Sequence, residues 1–246
     1  MSRVRREYFV RLCARIVILF IAFYLLLFRP ESYRVMDGWS FFSVPSPFHI
    51  LWVLWVFDMC IQLIPAGRAF YISIGSQKVF ATHFRPIREK ISKSTLRGYV
   101  TSTTRAAYKV MILWAALIAF IGVLYFAGVI TRPVLLFISV VFYVCDLICV
   151  LIWCPFRLIM KNKCCTTCRI FNWDHLMMFS PLIFAGGFYA WSLVLMSIVN
   201  FAVWEACAIL YPERFCEMTN AALRCSECTD KLCTQYCQKL RKREKK

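Results

Sequence analysis

Four stretches of this chain of 246 residues, 10–28, 48–65, 110–130 and 134–153, are apolar over nearly their whole length. Each is close to the ~20 residues that a helix needs to cross ~30 Å of hydrocarbon. Backbone in hydrocarbon has no water to bond, so a spanning segment must satisfy its own N–H and C=O groups, and that favours helices. Apolar residues make up 61% of the chain and charged ones 17%. They fall in long blocks, without the short intervals of an amphipathic soluble helix. The expected fold class is therefore all-α, a polytopic integral membrane protein with four clear transmembrane helices and one broken region. No repeat or low-complexity tract suggests a second globular unit, so 1–211 reads as one transmembrane domain and 212–246 as a basic, cysteine-rich tail.

The broken region runs from His175 to Tyr211 and would be roughly 55 Å long as a single helix at 1.5 Å per residue. Pro181 and the pair Gly186-Gly187 are the available breakers. They divide 176–210 into a short limb, Leu176 to Ala185, and a full-length limb, Phe188 to Leu210. At about half a bilayer, the short limb is expected to be re-entrant or to lie along the interface.

Charge orients these segments. The net charge of +17 is gathered in a few places, beside the apolar runs, which suits topology and contact with anionic lipid headgroups better than nucleic-acid binding. Arg3, Arg5, Arg6, Arg11 and Arg15 precede the first run. The sequence Arg29-Pro30-Glu31 after it lacks the small residues of a cleavage site, so the run reads as an uncleaved signal anchor starting in the cytoplasm, with Arg11 and Arg15 snorkelling to the surface. Between the second and third runs, Arg68, Lys78, Arg85, Arg88, Lys90, Lys93, Arg97, Arg105 and Lys109 face one acid, Glu89, which places that segment inside. Arg157, Lys161, Lys163 and Arg169 follow suit, and the tail, rich in Lys and Arg, is expected there too. The expected localisation is the cell membrane, multi-pass, with both ends cytoplasmic and the lipid bilayer as partner; oligomeric state leaves no signal in the sequence.

Half of the 14 cysteines lie in two clusters, Cys164-Cys165-x2-Cys168 and Cys225-x2-Cys228-x4-Cys233-x3-Cys237. Two residues between thiols let both sulfurs point at one ion, as in Zn and Fe–S sites. In a reducing cytoplasm such clustering favours metal or redox chemistry over structural disulfides. Either Cys225, Cys228, Cys233 and Cys237 close a site alone, or Cys165 and Cys168 join Cys225 and Cys228, with His175 as a substitute ligand. Cys13, Cys60, Cys145, Cys149, Cys154 and Cys207 read as small apolar residues of buried helices.

A second constellation lies within the spans. Asp58 and Asp146 fall at about the same depth of two inward-running helices. An ionised aspartate there costs on the order of 3 kcal/mol, so it must be protonated, paired or beside water. No Lys or Arg is expected at that depth. The pair can share a proton, bond Gln62 or hold a cation with help from Cys60, Cys145 and Cys149. It can serve as a proton or cation path, or as a neutral clamp between helices. Glu205 sits near the end of the last limb without an evident role. Asn172-Trp173-Asp174-His175 reads as a helix start with Trp173 at the interface.

Phosphate-loop, dinucleotide-binding, zincin and serine-hydrolase motifs are missing from the sequence, so it gives no support to those chemistries. The run Lys163-Cys-Cys-Thr-Thr-Cys-Arg-Ile-Phe-Asn-Trp-Asp-His175, with Cys154-Pro-Phe-Arg157 before it and Arg224-Cys-Ser-Glu-Cys-Thr-Asp-Lys-Leu-Cys233 after it, resembles a small family of bacterial multi-span membrane proteins over nearly the whole chain. The resemblance implies that the cysteine segments belong together, and it implies no activity. Three functional readings follow: a cysteine-ligated Zn or Fe–S centre on the cytoplasmic face, a proton or cation carrier using Asp58 and Asp146, or a thiol–disulfide membrane protein if the tail is external.

Overall fold

The computed structural model describes residues 3–64, 78–87, 91–160 and 168–224. Among these, the chain is helical throughout: α1 (Arg3–Phe28), α2 (Phe48–Leu63), α3 (Lys93–Phe126), α4 (Arg132–Leu151), α5 (Phe156–Met160), α6 (Asp174–Phe179) and α7 (Gly187–Leu210), with 3-10 turns between them. Pro86 and Asn220 form an isolated antiparallel bridge.

Four of these helices, α1, α3, α4 and α7, are long and apolar enough to cross a membrane. They are not the four that the sequence suggests. The α2 helix has 16 residues and stops at Leu63, about 24 Å at 1.5 Å per residue and short of a full crossing. The long limb of the broken region supplies the fourth, with 24 residues.

At the centre stands α4. Pro133 occupies its first turn, where the missing N–H costs nothing. Leu136, Val140, Tyr143, Leu147 and Val150 recur at three- and four-residue intervals along its buried face. Half of its apolar window is inside the bundle, against 11% for α1 and 22% for α3. The peripheral helices therefore turn large apolar side chains outward: Phe20 and Phe28 on α1, Ile112 and Phe126 on α3, and Ile209 and Leu210 on α7 are all well exposed.

The two ends of the bundle differ. At the end where α1 starts, the 78–87 segment meets the stretch after α7: the Ala221 N–H donates to the Arg85 carbonyl at 2.9 Å, Ile87 N–H to Thr219 at 3.2 Å and Asn220 Nδ2 to Lys78 at 3.1 Å. Val79, Trp204 and Leu223 share a small core beneath them. At the opposite end, Arg132 pairs with Asp37 at 3.0 Å, and Phe188 N–H donates to the Gly38 carbonyl at 2.9 Å.

The broken region joins these ends. It breaks at Ser180–Phe184, a 3-10 turn with Pro181 at its start, and at Gly186 and Gly187, whose φ values are +71° and +78°. Its short limb packs along α3. Trp173 stacks on Tyr108 near the start of the limb, Ser180 accepts from Trp114 Nε1 at 3.0 Å, and the Phe184 ring meets Phe126. The limb thus runs beside α3 from Tyr108 to Phe126 and reaches the far end of the bundle. A 3-10 turn rises ~2 Å per residue against 1.5 Å for an α-helix, which lets a short segment go further.

Candidate functional site

Arg15 on α1 reaches inward to the two aspartates. Its Nη1 donates to Asp146 Oδ2 at 2.8 Å and to the Tyr143 carbonyl at 2.6 Å, and its Nη2 lies 3.6 Å from Asp58 Oδ2. The guanidinium carbon stands 3.7 Å over the Tyr143 ring, an arrangement stabilised by the ring's negative face. The Arg15 side chain is 12% exposed. A cation is therefore present at the depth of Asp58 and Asp146, contrary to the sequence reading, and Arg15 does not snorkel. Two partly buried carboxylates attract a guanidinium more strongly than its own route to the surface does.

His175 extends the cluster. Its Nε2 lies 3.6 Å from Asp58 Oδ2, and its Nδ1 lies 2.9 Å from Asp174 Oδ1 and 2.8 Å from Gln62 Oε1. Gln62 Nε2 donates to Asp174 Oδ1 at 3.1 Å, which fixes the amide so that its oxygen faces the ring. Both ring nitrogens face acceptors, a geometry made for the imidazolium, which donates from each. Gln62 thus serves Asp174 and His175, one step removed from Asp58. Among the described residues, His175 is held by carboxylates and Gln62. Asp174 also accepts the His175 backbone N–H at 2.7 Å, at the first turn of α6.

The cluster borders a cavity of about 240 Å³ between α3, α4, α5 and α6. Asp146 and Asp174 stand on its wall with Trp114, Phe142, Phe156 and Phe171, and Cys145, Cys149, Cys154, Cys168, Met177 and Met178 complete most of the rest. Cys145 is exposed at its edge while Cys154 is buried.

A second charged pair lies nearer the end of the bundle where α1 starts. Arg169 holds Glu205 at both carboxylate oxygens, at 3.2 Å and 2.5 Å, and also bonds Thr104. Trp173 Nε1 donates to Glu205 Oε1 at 2.6 Å. Trp173 is 1% exposed, so its ring packs in the core. Glu205 acquires a structural role that its position alone does not suggest: it ties α7 to the segment leading into α6.

Among the candidate ligands, Cys164, Cys165, Cys225, Cys228, Cys233 and Cys237 lie outside the described residues. Cys168 is described; it is half-buried and borders the cavity. Among the described residues no three His, Cys, Asp or Glu side chains converge as a group that could hold a metal ion. Cys145 and Cys149 therefore do not complete such a site around Asp146. Sequence reasoning places Asp58 and Asp146 together and misses Arg15, Asp174 and the role of His175.

Fold and site together define an all-helical chain with four helices long and apolar enough to cross a membrane, arranged around a partly buried ionic cluster. No family model, curated protein or solved structure matches it.

Proposed function

We propose that this chain is a multi-pass membrane protein whose cluster of Arg15, Asp58, Asp146, Asp174, Gln62 and His175 binds and releases a proton as part of proton or cation transport. The apolar faces of α1, α3 and α7 suit lipid, because a soluble monomer rarely exposes contiguous apolar surface of that extent. The basic segments at the end where α1 starts orient that end to the cytoplasm.

The carrying observation is the place of His175, with Asp58 on one ring nitrogen and Asp174 on the other. A histidine, whose ring can hold or release a proton at either nitrogen, stands between two acceptors, one of which shares Arg15 with Asp146. Arg15 anchors the carboxylates and keeps its own proton, since a guanidinium does not titrate in this range. The exchangeable proton belongs to the Asp58, His175 and Asp174 chain. Ionisable residues at this depth carry a stability cost that a purely apolar contact would avoid, which is the reason for reading them as functional.

The test is proton flux into sealed liposomes that contain the purified full chain, driven by a potassium–valinomycin potential and followed with an internal pH dye. Asp58→Asn and His175→Gln are each expected to slow flux at least tenfold. Asp37→Asn, a carboxylate at the far end of the bundle, leaves it unchanged. Equal flux in Asp58→Asn and in the unaltered chain would remove the proton-carrying role.

A further inference from the structure

The cavity beside the cluster has a composition of its own. Its wall is apolar apart from Asp146 and Asp174, and the Trp114 ring lies between Phe142, at 4.8 Å between centroids, and Phe156, at 6.2 Å. Exposed Cys145 marks an edge on the outward side of α4, so the cavity can be reached from the surroundings of the bundle. At about 240 Å³ it is larger than a water site needs and within the range of a small organic ligand once side chains adjust.

Charge decides what kind of ligand. Arg15 and an imidazolium His175 face Asp58, Asp146 and Asp174. Arg11, one turn before Arg15, also acts on Asp58, which does not line the cavity. The two carboxylates on the cavity wall belong to different elements, α4 and α6, and converge from two sides. Aromatic faces beside them attract a positive charge that has shed its water.

We infer that this cavity binds a small lipophilic monocation, an ammonium or similar group on an apolar body, with the charge between Asp146 and Asp174 and the body against Trp114, Phe142 and Phe156. A neutral acyl chain would use the wall and leave the two carboxylates on it unused; an inorganic cation would use the carboxylates and leave the aromatic wall idle. The inference names a substrate class for the transport proposed above and rests on that reading for the exchange of this cation against a proton.

The detergent-purified full chain is titrated calorimetrically with benzyltrimethylammonium and, separately, with its uncharged carbon isostere neopentylbenzene. Saturable binding of the cation is expected, with the isostere at least tenfold weaker. Asp174→Asn, which removes the charge and keeps the shape, should weaken the cation at least tenfold. Cys145→Trp, which fills the edge of the cavity and leaves every charged group in place, should do the same, so a loss in Asp174→Asn alone through misfolding cannot imitate the result. Equal binding of the isostere would overturn the inference in favour of a lipid crevice. No saturable binding of the cation by the unaltered chain would overturn it as well. Proton flux without cation binding sinks this inference alone, whereas cation binding without proton flux sinks the transport reading and leaves the site.

Discussion

Arg15 decides whether the polar cluster is a stable part of the fold. It is in direct ionic contact with both Asp58 and Asp146, and removing it leaves two partly buried carboxylates with less compensation. Breaking a fully buried pair from one side costs about 3–5 kcal/mol, because the remaining charge loses its partner without regaining water, and the partial exposure of Asp58 and Asp146 puts this site below that range. Arg15→Leu is therefore expected to lower the thermal unfolding midpoint of the detergent-solubilised protein sharply. Arg15→Leu combined with Asp146→Leu should recover most of that loss, since Asp58 retains His175. An unchanged midpoint in the single variant would mean that the carboxylates are already neutral and Arg15 dispensable. In the sequence, Arg15 is the last of a series of arginines ahead of an apolar run, a pattern that usually serves topology. Nothing local separates an inward arginine from a snorkelling one. The available signal was indirect: two aspartates at equal depth call for a cation, and Arg15 was the nearest on any span.

Among the elements, the broken limb shows how backbone chemistry sets a path that composition cannot. Pro181 and Gly186-Gly187 are legible as breakers, because a missing N–H and a positive φ are properties of the residue types. Where the limb goes is not legible, since that depends on Trp173, Ser180 and Phe184 finding Tyr108, Trp114 and Phe126 along α3. The limb ends at a close approach. A Cβ on Gly187 would press into the Met36 carbonyl and the Gly38 backbone, and φ there is +78°; Gly186 has φ of +71° and open space. The two positions separate the backbone effect from the steric one. With ψ of −176°, Gly186 lies in a region that essentially only glycine occupies, and Gly186→Ala is expected to cost about 1–3 kcal/mol. Gly187→Ala carries that penalty and the clash together, so its unfolding midpoint should fall clearly below that of Gly186→Ala. Matching midpoints would show that the Gly187 contact with the 36–38 turn can open without loss.

At the scale of the whole molecule, the ionic cluster lies between two unlike faces, and a carrier needs those faces on opposite sides of the barrier. The all-helical class was readable because long apolar runs admit few alternatives, whereas the convergence of α1, α2, α4 and α6 on one cluster was not, since side-chain contacts 112 to 131 residues apart leave no trace in local pattern. Sidedness lies between these cases. Positive charge favours one side for the basic segments, and the hydrogen bonds from Asn220, Ala221 and Ile87 bind the stretch after α7 to the loop that follows α2. Both must then emerge on the same face, with the 36–43 and 127–131 turns opposite. A protease site inserted after Ser92 and another after Glu213 should be cut from one side of sealed membrane vesicles, and a site inserted after Gly128 only from the other. If the Glu213 site opens with the Gly128 site, α7 does not return as the packing requires, the cysteine-rich tail begins on the other face, and disulfide chemistry there regains the footing it loses in a reducing compartment.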